Sequence, residues 1–225
     1  MVSLEEIINK YRKTFGNVLP LNLSPENVYE LDLSVDNQYL RSLNKLSTES
    51  LGQYIQAQLK KVNKNIAIGG YAENRLVYQM SEHFGRGAEA RSVHLGIDIW
   101  YKSGTPVFAP LDGIIHSFNN NANFGDYGPT IILEHRLENV TFYTLYGHLS
   151  TSSIEDIANG DKIKKGDIIA HLGEEHENGN WPPHLHFQLI TDMLDKEGDF
   201  PGVCSVLEKD KWLNICPDPR LILAV

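Results

Sequence analysis

Residues 179–190 read GNWPPHLHFQLI, and the alternation that follows Pro183 decides how this chain folds. On a β-strand, side chains two apart share a face. His184 and His186 then look one way, while Phe187 and Leu189 look the other. Such a strand buries one side in a core and holds two imidazoles over a site on the opposite side. Two adjacent imidazoles suit a metal ligand beside a proton carrier. Nine histidines in 225 residues yield about 0.4 such pairs in a random chain, so the spacing needs company before it carries weight.

Company lies upstream. From about Arg75 the sequence runs in short segments rich in Ile, Val, Phe and Tyr, separated by Gly, Pro, Asn and Asp. HLGIDIW (94–100), PVFAPLDGIIHSF (106–118), PTIILEHRL (129–137), VTFYTLYGHLS (140–150) and KIKKGDIIAHLG (162–173) have strand composition and turn punctuation, with no helical stretch between them. An antiparallel sheet or small barrel is predicted. Two helices are expected before it: one in which Leu4, Ile7, Ile8, Tyr11 and Phe15 recur at helical spacing, and one starting at Leu51 behind a Ser50/Gln53 capping box. The chain between them reads as extended and irregular. The expected organisation is a partly helical N-terminal region (1–74), a β-domain (75–195) and an irregular C-terminal tail (196–225), mainly β within an α+β whole.

The segment HLGIDI supplies His94 and Asp98, a neutral nitrogen ligand and a carboxylate. A fully extended strand would hold their Cα atoms roughly 13 Å apart, too far for both side chains to reach one ion at about 2 Å. The chain must bend between them, and Gly96 supplies the freedom. Ile97 and Ile99 disfavour a helix there. Two histidines and one aspartate around an open position are the donor set of catalytic rather than structural zinc.

HLGIDIWYKSGTPVFAPLDGIIHSF, YTLYGHLS, GDKIKKGDIIAHLG and PPHLHFQL, in that order, resemble the M23 family of zinc endopeptidases, the lysostaphin and LytM-like group. The likeness runs from about residue 83 to 190. It implies an antiparallel β barrel-sandwich with a groove, one zinc per chain held by His94, Asp98 and His186, and His148 and His184 as catalytic groups beside it. It also implies a peptide or peptidoglycan-type substrate. A metal-activated water, with histidines that take and return its proton, accounts for amide hydrolysis at neutral pH. Which of His148 and His184 is the base is left open by the sequence. Two departures touch the groove: the acidic segment EEHENGNWPP replaces the family's Gly-rich turn, and Gln188 stands where Glu is usual.

Other residues have plainer readings. His116, His135 and His171 read as half-buried strand histidines, the loop around His176 as a cover over the site, and Tyr146 and Trp181 as candidate groove walls. Arg86 and Arg91 are candidate anchors for a substrate carboxylate. Cys204 and Cys216 are too few for a disulfide framework and form no CxxC pair, so they read as reduced packing thiols. A net charge of −9 without a long basic run argues against nucleic acid or an anionic membrane as partner. No apolar stretch predicts membrane insertion. Residues 1–16 show no secretory pattern, so the cytoplasm is the expected location, with export by an unseen route as the exception. The sequence does not set the oligomeric state. Competing functions are a catalytically divergent M23-like module that binds a peptide or partner, and a carrier-type barrel, whose modified lysine would stand in a Met-Lys or Asp-Lys-Ala setting that neither hairpin has.

Overall fold

The predicted strands assemble around 184–190, which becomes a central strand. The structure, a computed structural model, describes residues 3–43, 47–80 and 82–223. In chain order its elements are α1 (Leu4–Tyr11), β1 (Val28–Leu31), α2 (Gln38–Ser42), α3 (Thr48–Val62), β2 (Ile66–Gly69), β3 (Arg91–His94), β4 (Ile97–Trp100) and β5 (Pro106–Phe108). There follow β6 (Gly113–Asn121), β7 (Gly128–Leu137), β8 (Val140–Gly147), β9 (Lys162–Ile163), β10 (Ile168–His171), β11 (His184–Ile190), β12 (Val203–Ser205) and α4 (Lys209–Ile215). One eight-stranded sheet runs β1-β2-β4-β11-β8-β7-β6-β9, and the pairs β10-β5 and β12-β3 lie beside it. The fold is mainly β, and every strand pair but β1-β2 is antiparallel.

The alternation in β11 works as its spacing requires. Leu185, Phe187 and Leu189 are fully buried in the main core with Ile97, Ile99, Phe142 and Tyr146. His184, His186 and Gln188 occupy the other face of the strand. Ile8, Val18 and Leu19 from the N-terminal region, and Ile222 and Leu223 from the tail, pack into the same core.

The N-terminal region departs from expectation in two ways. Helix α3 starts at Thr48 because Ser47 caps it and Ser50 returns the bond to the Ser47 backbone. The predicted box at Ser50 fails since Gln53 bonds Glu49 instead. Its stripe of Leu51, Tyr54, Ile55 and Leu59 is buried as predicted. The stretch read as irregular contains β1, which pairs in parallel with β2 in the register Val28↔Ile66, with α3 in the crossover. A parallel pair needs such a crossover, and its long sequence separation hides it from local patterns. Among the described residues, no helix is long and apolar enough to cross a membrane.

His135 on β7 is buried, not half-buried. Its Nδ1 lies 2.9 Å from the Asp112 carbonyl and its Nε2 2.7 Å from the Thr144 hydroxyl. A side chain at Gly113 would press within 2.7 Å of that Nδ1. Burial pushes its pKa down to about 4. Because the folded value lies below the unfolded value near 6.5, His135 stabilises fully above about pH 6.5 and loses that contribution as pH falls towards 4. Urea unfolding at pH 7 and pH 4.5 should show roughly 2–3 kcal/mol more acid-induced loss in the parent than in His135→Gln. Equal losses would refute the assignment.

Candidate metal and catalytic site

Strand pairing delivers the candidate residues to one place. In the register of β11 with β4, His186 lies opposite Asp98 and His184 opposite Trp100; on its other edge His186 lies opposite Gly147, which precedes His148. His94 ends β3, and Leu95 and Gly96 turn the chain into β4. The predicted bend is there, for a different reason. Gly96 is not in the left-handed region; a Cβ would fall 2.6 Å from His186 Cε1 and 2.8 Å from the Phe187 carbonyl oxygen. The glycine is needed because the His186 ring lies on its backbone.

Three ligand atoms converge. His94 Nε2 is 3.0 Å from His186 Nδ1 and 3.2 Å from Asp98 Oδ1, and His186 Nδ1 is 3.0 Å from the same oxygen. The outer atoms decide what these inner ones carry. His94 Nδ1 faces the Gly70 carbonyl at 3.0 Å, so it holds the proton and leaves Nε2 with a lone pair. Gln188 Nε2 donates to the Pro201 carbonyl at 3.1 Å, which turns its Oε1 to His186 Nε2 at 3.0 Å. His186 therefore carries its proton on Nε2 and presents a lone pair at Nδ1. Asp98 Oδ2 accepts from Arg75 Nη1. Two neutral imidazoles and a carboxylate oxygen thus aim three lone pairs at one point about 3 Å across. Only a cation or a shared proton satisfies that arrangement, and the nitrogen, nitrogen, oxygen set fits zinc.

Two more imidazoles face the same space. His184 Nδ1 donates to the Pro182 carbonyl at 2.8 Å and His148 Nδ1 to the Asn178 carbonyl at 2.8 Å, so each offers Nε2 to the interior. Their rings lie 4.1 Å apart, and Trp100 stacks on His184 at 5.4 Å. His148 adopts φ of +62°, a conformation that a non-glycine residue rarely holds without a constraint. Here the constraint is the pairing of its nitrogen with the Tyr127 carbonyl at 2.8 Å and its oxygen with the Gly173 nitrogen at 2.9 Å.

Burial sets the charges. It pushes His184 down to about 4 and, reinforced by Arg75, His94 to about 4. Burial and the nearby His184 hold His148 well below its usual value. Burial opposes ionisation of Asp98, but His94 and the Arg75 guanidinium together hold it well below the usual carboxylate range. The imidazoles of His94, His148 and His184 are thus held neutral around one ionised carboxylate.

Arg75 and Tyr127 were not singled out in the sequence. Arg75 is 1% exposed; it bonds Glu73 at 2.7 Å and Asp98 at 2.5 Å, and Tyr78 lies 3.3 Å from its Nη1. Residues 72–75 reach it by running along β3 through backbone bonds to Ser92 and His94. Glu73 and Arg75 at a spacing of two were the available signal. Tyr127 packs 5.0 Å from the His186 ring and fills the room left by Gly147 and Gly202.

Several wall expectations are corrected. Tyr146 is fully buried in the main core, since odd and even residues of β8 face opposite ways; Trp181 does line the cavity. The segment 174–180 lies behind His148, held by Asn178 and by Glu177 on Thr151, and His176 is exposed with its partner Glu174 at 3.5 Å. Arg91 lines the cavity with its guanidinium 5.6 Å over the Phe84 ring, whereas Arg86 is exposed and off the wall. His116 bonds Ser117 and His171 is exposed; neither lines the cavity.

Residues 92–197 match the sequence profile of peptidase family M23. The chain is 36% identical over 96 residues to an uncharacterized metalloprotease of Haemophilus influenzae, across 43% of this chain and 18% of that protein. It is 31% identical over 120 residues to the peptidoglycan DD-endopeptidase ShyA of Vibrio cholerae, across 52% of this chain and 25% of that protein. Those matches span a quarter or less of the relatives' own length. Among solved structures, lysostaphin of Staphylococcus simulans aligns at 27% identity with a TM-score of 0.40, across 62% of this chain and 48% of that one. The likeness to peptidase family M23 thus lies in residues 92–197, the stretch that carries His94, Asp98, His148, His184 and His186.

Proposed function

We propose that this chain is a zinc-dependent endopeptidase that hydrolyses peptide bonds of the cell-wall cross-link type, with His94, Asp98 and His186 as metal ligands and His148 and His184 as catalytic groups. The observation that carries it is the convergence of three lone pairs within 3.0–3.2 Å, each fixed by a partner on its outer side. The peptidoglycan-cleaving relative supports the substrate class. Bound there, zinc supplies a polarised water and a Lewis acid for the scissile carbonyl. The chain's own residues do the rest. His184 and His148 are neutral with Nε2 unprotonated, so either accepts a proton from the water and returns it to the leaving amine. Their carbonyl partners, Pro182 and Asn178, hold the rings in the tautomer that this requires. Trp100 and Trp181 shield His184 from bulk water, which strengthens every polar contact inside.

The test is hydrolysis of a soluble cross-linked wall peptide by the full chain, followed by the appearance of new amino termini. One equivalent of zinc should restore the activity that a chelator removes. A zinc-loaded chain that cleaves no wall peptide removes this proposal and leaves a binding module in its place.

A further inference from the structure

The burial of the site bears on the size of what it accepts. His94, Asp98, His148, His184 and His186 are exposed by 1, 3, 5, 4 and 3%. All of them but His94 line a cavity of about 240 Å³, smaller than the roughly 300–1,000 Å³ of ordinary small-molecule sites. Segments outside residues 92–197 build its walls: Leu33, Leu51, Val77 and Phe84 on one side, and residues 199–203 on the other. The first wall is packed core, because these four belong to the cluster that joins α3 to Trp100 and Trp181. Its apolar side chains complement an apolar group. The charged residues on the wall include both signs, Arg91 and Lys196 with Asp126 and Asp199. That pattern complements the carboxylate and ammonium ends of a short peptide.

We infer that the site takes short, soluble peptides carrying an apolar side chain next to the scissile bond, and not intact cross-linked wall. This rests on the hydrolase proposal above and narrows its substrate. A polymer needs a groove open at both ends; here the catalytic atoms lie beneath side chains from both ends of the chain.

The test uses the zinc-loaded full chain with two kinds of substrate: soluble tetrapeptides with Ala, Leu or Phe beside the scissile bond, and intact purified wall sacculi. The tetrapeptides should be cleaved, with Leu or Phe favoured over Ala by at least about tenfold in kcat/KM, and sacculi should release nothing beyond the chelator control. Sacculi cleaved at a comparable rate overturn this inference and leave the hydrolase proposal standing. Equal rates on Ala and Phe peptides overturn the apolar assignment. Cleavage of neither substrate overturns this inference, and the hydrolase proposal falls with it when the soluble cross-linked wall peptide is also left intact. Phe84→Ala trims the wall without touching a metal or catalytic residue. It should keep one zinc per chain and lose the preference for Phe, and an unchanged preference overturns the assignment of that wall.

Discussion

His186→Ala should strip the metal from the chain, while His184→Ala, two residues away on the same strand, should keep it and still stop turnover. The two imidazoles differ in what surrounds them. His186 Nδ1 sits 3.0 Å from both His94 Nε2 and Asp98 Oδ1, inside the ligand cluster. His184 Nε2 is 3.8 Å from Asp98 Oδ1 and its ring is stacked on Trp100, at the cluster's edge. Removing a ligand leaves two protein groups on an ion that prefers four partners, so His186→Ala, His94→Ala and Asp98→Ala should each lose most of the one zinc per chain. Removing a proton carrier leaves the coordination shell whole and should cost about 10² to 10⁴ in rate. His148→Ala should behave like His184→Ala. Metal content and hydrolysis measured on the same purified variants decide it, and zinc lost from His184→Ala but kept in His186→Ala would reverse the assignment.

Arg75→Met should destabilise the metal-free protein by about 3–5 kcal/mol, the cost of leaving buried charge without its partner. The guanidinium is 1% exposed and lies between Glu73 and Asp98, and the Asp98 carboxylate is itself almost wholly buried. Burial alone would raise the Asp98 pKa, and Arg75 is one of the groups that hold it down. Without Arg75, one of the two carboxylates must take up a proton or stay charged in a dry environment. Urea unfolding of the metal-free chain measures the cost. A cycle with Asp98→Asn tests its origin: the double variant should lose clearly less than the sum of the single losses, because the buried charge is gone. Additive losses, or a cost below about 1 kcal/mol, would show that the guanidinium acts only by packing.

Much of the site was legible in short-range pattern. The alternation of β11 determined which side chains enter the core and that His184 and His186 share the other face, since a two-residue period is a local property of extended backbone. The four-residue spacing of His94 and Asp98 determined that the chain must bend, from strand rise alone. The N-terminal region was less legible. Ser47, Ser50 and Gln53 offer two overlapping capping boxes, of which the structure uses the first, and the partner of β1, β2, lies beyond two helices. Pairing across such a distance leaves no trace in a local window.

The residue types at the site were written in the sequence; their protonation and reach were decided by the tertiary structure. A histidine's ligand nitrogen depends on what the other nitrogen meets. For His94 that is the Gly70 carbonyl, 24 residues away, and for His186 it is Gln188, itself oriented by Pro201. The same holds for Gly96, whose missing side chain matters because a ring from residue 186 lies against it, and for Arg75, whose charge matters because Asp98 is buried beside it. Hydrogen bonds and charges act through space over a few ångströms, so groups distant in sequence fix the chemistry of a ligand once the fold has brought them within that range.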